Sequence, residues 1–451
     1  MSSGQAWPET QELLDWIGTI TEQGIRRPGY PADSWTEDWA AGMFRSFGLE
    51  ARLETVPVPR WNPGAAALTV HGGPGDLHLE GFQLPFSAAA PTGYTAPLVR
   101  LGPGHVPPGA IAIDELALTE LPQPDARELA TAEYDPEKAF DHIAQTLPFG
   151  PRLQEVAEPA IAAGAGGYVG ALTGFPWETS SYYVPYDAVQ RPVPGLWLSR
   201  TNSLRVLDRL AAGPCTATLL TEGTTTPATS RNVMATLPGA GDRWVIIASH
   251  HDAPWASAVE DGTGIALVLA AARHWAQVPR EERPHNLLFL LTAGHMAHAA
   301  GTRAFIDRHR DLLRDVVLEL HLEHAALRCD FKDGLLKPTA DPEVRWWFTS
   351  RDQPLEHLVL DALSSERLRR SLVLPPDAFS PLPPTDGAFF HEAGVRLVHF
   401  LSAPPYLFDP ADTLDKVDAE GLLPLSRAAA RIVAGTSGWD PLPPRAPQGA
   451  P

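Results

Sequence analysis

The chain has 451 residues, 44% of them hydrophobic, which suits a core of ordinary size and two or three domains. No apolar run reaches the roughly eighteen residues that a membrane-spanning helix needs. The net charge of -19 opposes binding to nucleic acid and to anionic membranes, and two cysteines, Cys215 and Cys329, are too few for a disulfide framework.

Met1 to Pro8 lacks the basic start and apolar stretch of a signal peptide, and no N-x-S/T acceptor occurs, so a reducing cytoplasm is expected. Leu13, Leu14, Ile17 and Ile20 recur at helical spacing, and Trp35, Trp39, Met43 and Phe44 continue it. Residues 8–56 therefore read as helices, interrupted at Arg26-Arg27-Pro28-Gly29. From about 65 to 230 short apolar strands alternate with Pro and Gly: Pro97 to Val99, Ala110 to Ile113, Leu196 to Leu198, and Thr216 to Leu220. Ile161 to Val169 reads as a helix end feeding a strand. Its glycines at 164, 166 and 167 match neither G-x-G-x-x-G nor a Walker pattern, so no phosphate loop is expected.

From about 231 the texture changes. Trp244 to Ser249, Leu287 to Leu291, Val316 to Leu320 and Arg396 to Leu401 are apolar runs of strand length. Helical spacing fills 262–276, 299–314 and 355–368 between them. Fully apolar strands alternating with helices predict an α/β fold: a three-layer arrangement of mostly parallel central strands with helices on both faces. The region before residue 230 is expected as an inserted β-rich unit, and the tail from Pro441 as disordered.

Ligand sites in open α/β sheets lie beyond the carboxyl ends of the strands. Three strand ends here carry polar clusters: Ser249-His250-His251-Asp252, then Gly294-His295-Met296-Ala297-His298, then His321-Leu322-Glu323-His324. Imidazoles and carboxylates converging on one sheet edge suit zinc, which takes nitrogen and oxygen ligands. Any one of these histidines alone would more often be a packed or surface residue; three clusters together point to a site.

At these residues the sequence resembles the zinc aminopeptidases and their relatives, glutamate carboxypeptidase, the transferrin receptor and glutaminyl cyclase, over most of its length. His250-x-Asp252 resembles the family's H-x-D, and Glu260-Asp261-Gly262-Thr263-Gly264 its D-D-G-S-G. Residues 293–302 resemble A-E-E-x-G-L-x-G-S, Leu320 to His324 resembles N-x-D-M, and Thr385-Asp386-Gly387 resembles S-D-H. Pro410 to Asp418 is close to P-A-D-T-L-D-K-V-D, the most specific match. The resemblance implies a metallopeptidase-like catalytic domain at 231–436 with an N-terminal helical part at 1–64. It also implies a protease-associated-like insert at 65–230 and leaves a Pro-rich tail at 437–451.

It further implies five metal-ligand positions, which fall on His250, Glu260, Met296, Glu323 and Phe408. His250, Glu260 and Glu323 keep one half of a two-metal site, so one zinc ion is expected; Met296 and Phe408 offer no oxygen or nitrogen ligand to the other. The added methylenes at Glu260 and Glu323 leave open a shift of the ion toward His295, His298, His321 or His324. His295 stands where the family has its general base, and a neutral imidazole of pKa near 6.5 can serve as one; a further ligand and a pocket filler remain alternatives. Asp252 is expected to orient His250 by accepting its ring N–H, or else to cap the loop.

Weaker features are Trp255 as pocket lining, Arg345-Trp346-Trp347-Phe348 as a core strand rather than a substrate wall, and Cys329 as a buried thiol. The expected function is metal-dependent, aminopeptidase-like hydrolysis of a peptide or other amide. The alternatives are a catalytically inactive, peptidase-like binding protein and a single-zinc cyclase or transferase, with Asp261 or Asp386 as a proton relay.

Overall fold

The computed structural model describes residues 7–102 and 106–443, so Met1 to Ala6 and most of the Pro-rich tail lie outside the described residues. Among the described residues nine strands form the larger sheet. In chain order they are β1 (Glu50–Asn62), β2 (Ala132–Tyr134), β3 (Thr224–Leu237), β4 (Trp244–His250), β5 (Asn286–Thr292), β6 (Val316–Leu322), β7 (Arg345–Thr349), β8 (Ser371–Leu374) and β9 (Leu397–Leu401). Across the sheet the order is β1-β3-β5-β4-β6-β9-β7-β8-β2. The central strands β5, β4, β6 and β9 are parallel; β1, β3 and β2 pair antiparallel at the edges, and β7 runs antiparallel to β9.

The apolar runs are continuous because both sheet faces are buried. Val245, Ile247, Leu287 and Phe289 point into one core with helices α1 (Thr10–Thr21), α2 (Pro31–Ser46), α3 (Gly264–Gln277), α5 (Gln353–Ser365) and α7 (Ala419–Gly435). Their neighbours Ile246, Ala248, Leu288 and Leu290 point into a second, with Phe305 of α4 (Ala300–Arg308) and Phe390 of α6 (Gly387–Glu392). Alternate side chains of one strand thus meet opposite helix layers.

A second sheet, eight strands wide, is built entirely from residues between Ala66 and Thr221. Leu68, Val70, Ile111, Ile113, Val169, Leu196, Leu198 and Leu219 form a core of their own there.

Three expectations change. Residues 50–56 are strand rather than helix: buried Val56 and Val58 alternate with Pro57 and Pro59, and β1 lies at the sheet edge, where proline costs no ladder bond. β3 pairs with β1 from Thr224 through Thr236, so residue 230 falls inside a strand of the larger sheet. The segment Ala132–Tyr134, counted with the insert, pairs with β8 and closes the far edge of the larger sheet. Ahead of the tail expected from Pro441, the Trp439 ring lies 5.2 Å from the Arg396 guanidinium. Arg345–Thr349 is a buried strand, as the aromatic run suggested.

Gly264 opens α3 against the ends of β4 and β6. A Cβ there would overlap Asp261 Oδ2, Ser249 Oγ and the Leu322 carbonyl oxygen. We expect Gly264→Ala to destabilise the fold by about 2 kcal/mol through overpacking; an unchanged urea midpoint would disprove this close approach.

Candidate metal centre

β4 delivers His250 fully buried at the carboxyl edge of the sheet. Its Nδ1–H donates to the Asp252 carbonyl at 3.0 Å, which turns Nε2 inward. Nε2 lies 3.5 Å from Glu260 Oε1 and 3.9 Å from Glu323 Oε1. His324 follows β6; its Nδ1–H donates to the Ser402 carbonyl at 3.0 Å, and its Nε2 lies 2.6 Å from Glu260 Oε2 and 3.8 Å from Glu323 Oε2. The His295 ring stacks on His250 with centroids 4.0 Å apart and planes 11° from parallel.

His250 Nε2, His324 Nε2, both Glu260 oxygens and Glu323 Oε2 are buried with no aligned hydrogen-bond partner. Buried polar atoms are almost always satisfied, so convergent orphans of this kind call for a shared cation. Two donors on one zinc, each at about 2.0–2.2 Å in tetrahedral geometry, stand roughly 3.3–3.6 Å apart. The His250–Glu260 separation of 3.5 Å fits that spacing. Two donor triads, His250–Glu323–His324 and His250–Glu260–His295, each lie within 4.8 Å and share His250.

The structure thus brings His250, Glu260, Glu323 and His295 together, and adds His324, which the sequence left among several possible donors. Met296 is fully buried and contributes no ligand. Phe408 packs against Tyr182, Tyr186 and Phe149, so an aromatic cluster fills its place. His298 is exposed and lies outside both triads. His321 Nε2 lies 3.0 Å from Glu323 Oε1 and belongs to neither triad.

Asp252 takes the second of its two expected roles. Its carboxylate accepts the backbone N–H groups of His295 at 2.9 Å and Met296 at 2.8 Å, so it holds the loop after β5, and only its carbonyl orients His250. Asp261 is equally occupied, by the Ser249 hydroxyl and the backbone N–H groups of Gly264 at 3.0 Å and His324 at 3.3 Å. Asp386 accepts from Thr292 at 2.9 Å, Thr302 at 2.5 Å and His295 Nδ1 at 2.8 Å.

Two long-range clamps set Glu260. Asp412 accepts the N–H groups of Val259 at 2.8 Å and Glu260 at 2.9 Å. The buried Arg26 guanidinium donates to the Glu260 carbonyl at 3.1 Å and the His251 carbonyl at 3.3 Å. Asp412 sits in the best-matched motif, which was the available signal for it; Arg26 lies in a run that reads only as a helix break.

Electrostatics divide the imidazoles. Burial, reinforced by the charge of His295, pushes His250 down to about 3, so it is neutral with a free lone pair. Burial also opposes charge on His295 and His324, but Asp386 beside the first and Glu260 beside the second outweigh it and raise both to about 10. Asp386 fixes the His295 ring through Nδ1. Burial lifts the Cys329 thiol to about 12, which leaves it unreactive.

A mainly apolar cavity of about 550 Å³ adjoins this centre, lined by residues including Phe149, Leu153, Tyr186, Trp346, Phe379 and Thr385. Tyr186 stacks on His295 at 5.3 Å and the Thr385 hydroxyl donates to Glu323 at 3.0 Å, so both walls touch the centre.

Residues 232–433 match the profile of peptidase family M28. This segment is similar to that family. Over the whole chain the M28 segment and the second sheet together share the fold of known aminopeptidases. The M28 peptidase precursor from Shewanella amazonensis superposes with a TM-score of 0.73 at 20% identity, covering 96% of this chain and 95% of its own. The zinc aminopeptidase BSAP from Bacillus subtilis gives 0.67 at 16% identity with the same coverages. The aminopeptidase from Aneurinibacillus sp. strain AM-1 gives 0.64 at 18%, again over 96% and 95%. No curated protein matches the sequence. No described helix is long and apolar enough to cross a membrane.

Replacing Asp412 with Ala should leave the fold intact and weaken zinc binding about 10–100-fold, the usual cost of losing a group that orients a ligand. Competition with a chromophoric chelator measures this; unchanged affinity would mean that Arg26 alone holds the Glu260 loop.

Proposed function

We propose that the protein is a metal-dependent, aminopeptidase-like hydrolase of peptide or other amide bonds, with one ion at its reaction centre. The observation that carries this reading is the set of buried, unpartnered donors of His250, Glu260, Glu323 and His324 beside an apolar cavity. The donor set of imidazoles and carboxylates suits zinc. A zinc ion held there would polarise the scissile carbonyl and acidify water.

In this reading the remaining work belongs to the chain's own groups. His250 presents a neutral lone pair. His295, charged and held at Nδ1 by Asp386, keeps a proton on Nε2 for the leaving amine. Tyr186 and Phe149 close the apolar cavity over a substrate side chain and exclude water from the centre. Both come from the chain segment that also builds the smaller sheet, which we read as a protease-associated-like insert shaping the crevice mouth.

The test is turnover of aminoacyl p-nitroanilides and dipeptides by zinc-loaded protein. We expect activity that a chelator removes and zinc restores, and a loss of at least about a hundredfold in His250→Ala and Glu323→Ala. A zinc-loaded protein that turns over no amide, yet binds peptides in the cavity, would replace this reading with a non-catalytic one. Full activity in His250→Ala would show that the centre is misassigned.

A further inference from the structure

Beside Glu323 lies a second set of donors that the reaction centre does not use. β6 alternation sends Glu319, His321 and Glu323 to one face of the sheet. His399 of β9 is the register partner of His321, and all four side chains are fully buried. A sheet face covered by helices is ordinarily apolar, so this patch needs a reason.

We propose that His321, His399 and Glu323 form a second divalent-cation site, with Glu323 bridging it to the reaction centre. His321 Nδ1–H donates to Glu319 Oε1 at 2.8 Å, the carboxylate–imidazole arrangement that orients a metal-binding nitrogen. Its Nε2 faces Glu323 Oε1 at 3.0 Å. His399 Nε2 lies 3.5 Å from Glu323 Oε2, close to the spacing of two donors on one ion. Each of the three residues offers a donor atom within 4.8 Å of the other two. The His321 and His399 rings cross at 79° with centroids 5.0 Å apart, so nitrogens from two strands converge without the rings colliding. Thr385 Oγ1, 3.2 Å from His399 Nε2, adds an oxygen and connects the cluster to the apolar cavity, which gives an ion a route in.

A third acidic and histidine cluster has an arginine beside it. Asp33, Glu37 and His251 also lie within 4.8 Å of one another. There Glu37 accepts from Ser230 Oγ at 2.7 Å and from Arg231 N at 2.6 Å and Nε at 2.5 Å, and His251 Nε2–H donates to the Arg231 carbonyl at 3.0 Å. Arg231 supplies the compensating charge. No arginine or lysine reaches Glu319 or Glu323 among the described ion pairs, where a divalent cation would do the same.

The proposal does not depend on the hydrolase reading. The decisive experiment counts zinc in the full chain by elemental mass spectrometry and locates it in crystals by anomalous scattering at the zinc edge. We expect two equivalents, one peak near His250 and one about 2.0–2.2 Å from His321 and His399 nitrogens. His399→Phe, which keeps the ring volume, should reduce the count to one and leave the peak near His250. One equivalent in the wild type with no peak at His399, or no zinc at all, overturns the proposal, and the wild-type crystals decide this even if the variant fails to fold. A peak at His399 with no amide turnover would leave this site standing and remove the hydrolase reading alone.

Discussion

The carboxylate of Glu323 is the point on which the centre is organised. It lies 3.0–3.9 Å from ring nitrogens of His250, His321, His324 and His399, all inside the protein. An ionised group taken out of water is costly unless opposite charge and directed donors surround it. Here the surrounding imidazoles hold Glu323 well below the usual carboxylate range despite burial, which otherwise favours the neutral acid. The position at the end of β6 makes this possible, since the strand carries the residue to the sheet edge where β4, β5 and β9 also end.

Around that point the structure spends its other buried carboxylates on the backbone. Asp252, Asp261 and Asp412 all accept N–H groups from loops that follow strands. Each fixes a turn that carries a side chain of the centre: His295, His324 or Glu260. Asp386 is the exception, bound to a side chain that faces the centre directly. Buried acids that look alike in sequence thus divide into those that shape the loops and those that set the charge of an imidazole. The aromatic cluster around Phe408 continues through Tyr186 onto the His295 ring.

The segment before residue 224 contributes more than a separate sheet. It supplies β2 at one edge of the larger sheet, and Phe149, Leu153 and Tyr186 to the cavity wall. Composition marked this region as β-rich, but not that parts of it return to the larger sheet. Strands of three residues, such as β2, carry too little pattern to be assigned to a partner 240 residues away.

The sequence alone determined the layout. Unbroken apolar runs require strands covered on both faces, helical spacing between them requires a parallel centre, and polar residues just past those runs must gather at one edge. The clusters holding His250 and Glu323 were legible for that reason, whereas Glu260 came only from the resemblance of Glu260 to Gly264 to D-D-G-S-G. What only the tertiary structure decided is which way each side chain points and what charge it carries. The ring of His324 is turned by a carbonyl 78 residues on, His295 by an acid 91 residues on, and the Glu260 loop by an acid 152 residues on. Periodicity reports the face of a strand a residue occupies; it holds no information about hydrogen bonds across such separations, and these decide whether a buried histidine is a ligand, a proton donor or a strut.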